Sequence, residues 1–187
     1  MDERKWIERI LAGDTQSFSC LVAKYEKMAD TIARRILENR EEAEEAVQDA
    51  FVKMYRALSD FHFDSKFSTW FYRIVYRTAL TALRQQRMFV SYEEAGPVDL
   101  SNDEVESATA LLEREDRKEM IARTLKKLPA DEALLLTLYY LEECSVEEIC
   151  QITELSASNV KVKLFRGRKR FYEVLQDKMK LETADLL

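Results

Sequence analysis

Apolar side chains return every three or four positions along most of this chain. Phe18, Leu21, Val22, Tyr25, Met28, Ala29, Ile32 and Ile36 form one such stripe, the spacing that places residues on a single face of an α-helix. Gly13-Asp14 breaks the segment just before the stripe, and Asp14 is the expected N-cap. A second stripe, Ala43, Ala46, Val47, Ala50, Phe51, Met54, Tyr55 and Leu58, runs through "NREEAEEAVQDAFVKMYRAL". Asn39 is placed to cap that helix, with Glu42 three residues on and acids crowding the first turns, where the helix dipole favours them. The two helices are expected to pack on each other.

A loop, "SDFHFDSKF", leads into "STWFYRIVYRTALTALRQQR". This third helix is expected to begin with Ser68 as its N-cap and to turn Trp70, Phe71, Ile74, Val75, Ala82 and Leu83 inward. Arg73, Arg77, Arg84 and Arg87 decorate it, and it contains no acid. The pattern then lapses. Residues 89–119 hold ten acids against three bases, include Gly96-Pro97 and show little periodicity before Ala108, as a linker would.

Periodicity resumes in "RKEMIARTLKKL", a helix ended by Pro129, because proline disfavours helical geometry in the residue before it. "DEALLLTLYYLEE" follows, then "SVEEICQI" behind a Ser145–Glu148 capping box, then a basic helix from about Ser156. The expected fold is all-α. Two small helical domains, 1–88 and 113–187, are joined by a flexible acidic linker, 89–112, and the second domain contains a helix-turn-helix.

Composition narrows the classes. The 187 residues include only three Gly and two Pro, as a helical chain allows. Cys20, Cys144 and Cys150 fall among apolar helical positions and are expected to be buried reduced thiols of a cytoplasmic protein. "MDERKWIERI" is charged throughout, unlike a signal peptide, and no apolar run reaches the roughly 20 residues of a membrane span. His62 is the single histidine, the glycines are scattered, and Cys144 and Cys150 lack zinc-ligand spacing. No catalytic residue, metal or cofactor is expected.

Charge distribution points further. The chain carries a net charge of −6, yet residues 156–171 hold six cations and no acid. Val146, Ile149, Cys150 and Ile152 give the preceding helix its apolar side; Val160, Leu164, Phe171 and Leu175 give the basic helix its own. Two helices with this short turn make a helix-turn-helix, whose second helix enters the DNA major groove. Ser158 and Asn159 stand at the helix N-terminus, suited to phosphates and base edges, while Lys161, Lys163, Arg166 and Arg168 reach phosphates or guanine. Neutralising about five phosphates predicts a log–log salt slope near −4 to −5. A merely solvated basic face is the plainer alternative, but such faces usually mix both signs. Glu154 departs from the motif: the sharp turn often holds Gly, and positive φ costs a residue with a Cβ about 1 kcal/mol.

Taken in order, "GDTQSFSCLVAKY", "EEAEEAVQDAFVKMYRAL", "FHFDSKFSTWFYRIVYRTALTALRQQR", "LKKLPADEALLLTLYYLEECSVEEICQI" and "NVKVKLFRGRKRF" resemble an extracytoplasmic-function sigma factor of the sigma-70 family. The resemblance implies a protein that binds core RNA polymerase, recognises minus-35 and minus-10 promoter elements and assists melting. It implies that Glu45, Gln48, Asp49 and Lys53 meet the clamp helices of the largest polymerase subunit, with the flap as a second polymerase contact. It implies that Phe63, Asp64, Ser65 and Lys66 capture a base of the minus-10 strand, with Ser68, Thr69, Trp70, Arg73 and Arg77 alongside. Such capture needs π surfaces, which Phe61, Phe63, Phe67 and Trp70 offer, and cations for the backbone. The minus-35 duplex would meet Ser158, Asn159, Lys161, Lys163, Phe165, Arg166 and Arg168, with Val162 where relatives commonly hold a small polar residue. Asp99, Asp103, Glu104 and Glu106 of the linker would mimic RNA phosphates in polymerase channels. An anti-sigma partner is also implied, and direct membrane insertion is not. The rival reading is a stand-alone helix-turn-helix regulator, which would bind duplex half-sites as a dimer without polymerase.

Overall fold

The computed structural model describes residues 3–37, 39–90 and 112–184. Among them it contains eight α-helices, one short 3-10 turn and no strand. The all-α expectation holds. The acidic residues 99, 103, 104 and 106 lie outside the described residues.

Helices α1 (Glu3–Leu11), α2 (Gln16–Ile36), α3 (Arg40–Arg56) and α4 (Phe67–Val90) form the first unit. The apolar stripes explain how they pack. Leu21, Tyr25, Ile32, Ala43, Ala50, Met54, Phe71 and Val75 are all at most 4% exposed and bring α2, α3 and α4 together. The N-cap of α2 falls on Thr15, one residue after the expected Asp14, yet Asp14 still accepts from the Gln16 amide at 3.0 Å and from the Ser17 hydroxyl at 2.9 Å. Asn39 caps α3 by accepting from the Glu41 and Glu42 amides.

Two further expectations need correction. Ser68 does not cap α4: the helix starts at Phe67, and the Trp70 amide already bonds the Lys66 carbonyl. The buried Phe67 ring, set against Tyr25 and Phe61, fixes the helix start two residues early. Cys20 is exposed, because it precedes Leu21 on the outward side of the α2 stripe; Cys144 is buried and Cys150 half-buried.

Helices α5 (Leu112–Lys126), α6 (Ala130–Tyr140), α7 (Val146–Thr153) and α8 (Ala157–Ala184) form the second unit. Gly167 lets α8 cross α6 closely: a Cβ there would lie 3.2 Å from Leu136 Cδ1 and 3.3 Å from Glu132 Cβ. Arg170 pairs at 3.2 Å with Glu132, itself only 6% exposed, so the crossing is also tied by a charge. The two units are in contact. Helix α7 lies along α4 and α6 against α2, and the buried apolar side chains of both units form one continuous cluster.

Candidate nucleic-acid interface

The expected helix-turn-helix is present. Ser145 accepts from the Glu148 amide at 3.1 Å while the Glu148 carboxylate accepts from the Ser145 amide at 2.8 Å, closing the capping box of α7. Ile149, Ile152, Val160 and Leu164 are buried and hold α7 to α8. Glu154 ends α7 in the left-handed region, φ 62° and ψ 16°, its amide bonded to the Cys150 carbonyl at 2.8 Å. The turn therefore keeps the geometry that favours glycine, although a glutamate occupies it.

On α8 the structure leaves Ser158, Asn159, Lys161, Phe165, Arg166 and Arg168 exposed on the first turns, with Phe165 64% exposed. Ser156 supports the start, accepting from the Asn159 amide at 3.3 Å. Lys163 is placed differently: it is half-buried and ion-paired with Asp131 of α6. Burial raises the Asp131 carboxyl, but the Lys163 ammonium and the Glu132 amide outweigh it and leave the group below its ordinary range. Lys163 thus braces α8 against α6 before any other role.

The loop before α4 gathers its aromatics. Phe61 is buried against Phe63, Phe67 and Trp70, with ring centroids 4.7–5.4 Å away, and Trp70 is half-buried in that group. Phe63 is the outermost ring and has φ 62°, a conformation costly for a bulky residue and common at functional loops. Phe61, Phe63, Ser65, Lys66 and Phe67 line a hollow of about 200 Å³ whose far wall is Glu3, Arg4 and Ile7 of α1. The Arg4 guanidinium lies 4.1 Å from the Phe63 ring centroid. Sequence reading had not assigned α1 to this site, since nothing in the local pattern of "ERKWIERIL" points to a loop some 60 residues on. Asp64 and Lys66 are exposed on the loop and Ser65 half-exposed.

Along α4, Arg73 and Arg77 are exposed, Ser68 is half-buried and Thr69 is 2% exposed. Thr69 is covered by α7, donating to Glu148 at 3.4 Å. Glu45, Gln48, Asp49 and Lys53 are all exposed on α3, as the stripe requires. Glu45, Asp49 and Lys53 line a polar groove of about 430 Å³ between α3 and α4, where Lys53 donates to Thr78 at 3.2 Å.

Family comparison decides what the two units are. Residues 21–88 match sigma-70 region 2 and residues 118–171 match sigma-70 region 4. The chain is 32% identical over 181 residues to the RNA polymerase sigma-H factor of Pseudomonas aeruginosa, covering 93% of this chain and 94% of that one. The chain belongs to the extracytoplasmic-function sigma factors. It is also 32% identical over 171 residues to the ECF RNA polymerase sigma-E factor of Escherichia coli K12, covering 87% and 88% of the two chains. Solved folds agree. The sigma factor RpoE of Bartonella quintana, in complex with the anti-sigma factor NepR, matches with a TM-score of 0.69 at 18% identity over 87% of this chain and 98% of that one. CnrH, in complex with the cytosolic domain of CnrY, matches with a TM-score of 0.60 at 21% identity over 93% and 97%. As a sigma factor the chain binds core RNA polymerase, directs it to promoters and assists initiation; sigma factors are not themselves enzymes. Among the described residues no helix is long and apolar enough to cross a membrane, and no cluster of potential metal ligands occurs.

Proposed function

We propose a division of this sigma factor's work among three faces. The loop and the first turns of α4 take the melted minus-10 strand, α8 reads the minus-35 duplex, and α3 docks on the polymerase clamp. The observation that carries the reading is the juxtaposition at α4. A hollow of about 200 Å³ walled by Phe61, Phe63 and Phe67 opens beside Lys66, with Arg73 and Arg77 following on the next turns. An unstacked base needs a π surface to replace its neighbours, and the strand that carries it needs cations.

In this reading Phe63, Asp64, Ser65 and Lys66 capture a base, and Trp70 supports the wall from within. Ser68, Thr69, Arg73 and Arg77 follow the backbone. On α8, Ser158, Asn159, Lys161, Phe165, Arg166 and Arg168 meet the duplex, and Lys163 contributes from the rim. Glu45, Gln48, Asp49 and Lys53 contact the clamp helices. The apolar hollow of about 350 Å³ lined by Ile121, Leu125, Leu136, Leu141 and Phe171 suits the flap. In this reading the functional units are 1–88 and 113–187, joined by the acidic linker 89–112. The chain acts in the cytoplasm, contributes no catalytic group, and is held in reserve by an anti-sigma factor of the kind solved on RpoE.

The test is transcription by core RNA polymerase on a pooled library of promoter-like duplexes. Discrete start sites that need both components, with weak duplex binding by the free chain, are expected. Loss of those starts on reversing Arg73 and Arg77 would support the α4 assignment. Selection of palindromic duplexes by the free chain, with no transcript, would contradict the division.

A further inference from the structure

Helix α1 forms the far wall of the hollow assigned to the minus-10 base, and it brings a carboxylate there. Ile7 and Ile10 are buried, so α1 is anchored to the first unit by its apolar side. That docking sets Glu3, Arg4 and Ile7 opposite Phe61, Phe63 and Phe67 across about 200 Å³, room for a single unstacked base. Glu3 is held in place. Its Oε1 accepts from both the Lys24 ammonium and the Tyr25 hydroxyl of α2. Tyr25 is itself 4% exposed and lies 5.3 Å, ring to ring, from Phe67, so the carboxylate is tied to the aromatic side of the hollow. We propose that α1 completes the base pocket, with Glu3 as the acceptor that selects a base presenting an exocyclic amine. The proposal rests on the capture role given above to the loop.

The selection follows from what each base carries on its edge. Cytosine and adenine present amine hydrogens, which a carboxylate accepts. Thymine and uracil present a carbonyl oxygen where cytosine has its amine, and that oxygen would meet the Glu3 carboxylate with like partial charge. The phenylalanine walls hold any base by its faces, so hydrogen-bond polarity at Glu3 decides which base stays. Arg4 and Lys66 share the lining with Glu3, so the hollow keeps an excess of positive charge for the strand despite the acid. Arg4 also covers the ring of a residue whose φ of 62° is costly, a cation–π contact that holds Phe63 toward α1.

Cytosine and uracil share a ring size and differ in amine against carbonyl, so the pair isolates the Glu3 contact. Holoenzyme is titrated on a promoter selected by the parent, with cytosine or uracil placed at each minus-10 position of the captured strand in turn. The opposite strand carries abasic sites there, so base pairing does not enter. At one position the parent should bind cytosine about tenfold more tightly than uracil. Glu3→Gln, whose amide both donates and accepts, should bring that ratio within about twofold. Tyr25→Phe removes a bond to Glu3 but keeps the carboxylate, and should retain the preference. A parental ratio near unity at every position, an unchanged ratio in Glu3→Gln, or an equal loss in Tyr25→Phe would overturn the proposal. Phe63→Ala tests the reading beneath it. Weaker binding of cytosine and uracil templates alike would uphold capture, whereas unchanged affinity for both would overturn capture and the proposal with it.

Discussion

The chain carries two basic surfaces of opposite design. On α8 the cations project into solvent from a helix braced from behind by the Lys163–Asp131 and Arg170–Glu132 pairs. At the start of α4 the cations Lys66, Arg73 and Arg77 are themselves the paired groups, bonded to Glu148 and Glu154 of the other unit. In the division proposed above, the first surface would meet a duplex, which is always present, and the second a strand that exists only after melting. A basic stretch in a sequence therefore does not say whether its charge is available; that depends on which acids the fold sets opposite it.

Reversing charge on α4 should break the comparison most severely. Arg73→Glu/Arg77→Glu is expected to lower initiation from duplex promoters by about 100-fold or more, because like charges then face the melted backbone. Run-off transcription with core polymerase measures this, and the melting temperature checks that the helix persists. Lys161→Ala/Arg166→Ala should cost about 10- to 100-fold in duplex promoter affinity and reduce the magnitude of the salt slope by about two. Titration of holoenzyme on promoter DNA at several salt concentrations gives both numbers.

Acid should open the α4 face selectively. Glu154 sits below the ordinary glutamate range through its bonds to Arg77 and Arg73. Burial raises Glu148, but the Ser145 amide, Lys66 and Thr69 more than offset this and lower it too. Depressed carboxylates bind fewer protons in the closed form, so closure is fully present above the ordinary glutamate range and is lost as pH falls below it. Scattering as pH is lowered from about 6 to below the ordinary glutamate range should show expansion while circular dichroism holds its helical signal. Cys144, raised to about 11 by burial and by Glu148 and Glu142, stays a neutral thiol across that range. The smallest effect should come from Glu154→Gly on stability. Relief of the positive φ should raise the melting temperature of an isolated 113–187 segment by about 3 °C.

Local patterns were legible. The stripes on α2 and α3, the Asn39 cap, the Ser145–Glu148 capping box and the left-handed demand at Glu154 all come from interactions within a few residues, which spacing records. What was not legible depended on distant partners. Phe67 starts α4 because its ring is buried against Tyr25 and Phe61, a fact outside the reach of the Ser68 capping signal. Lys163 reads as a DNA cation until Asp131, 32 residues away, is seen beside it. Arg77 and Glu154 are 77 residues apart, and Lys66 and Glu148 are 82 apart, so neither pairing leaves a mark on local sequence. Glu154 could be recognised as an anomaly, but not explained.

The central claim is that α4 opens DNA while α8 finds it. The most direct measurement places 2-aminopurine in the minus-10 element of a promoter selected by the parent holoenzyme and follows its fluorescence on mixing. The parent holoenzyme should bind and brighten the probe. The Arg73→Glu/Arg77→Glu holoenzyme should bind the duplex and leave the probe dark. Brightening at the parental rate with both arginines reversed would contradict the account.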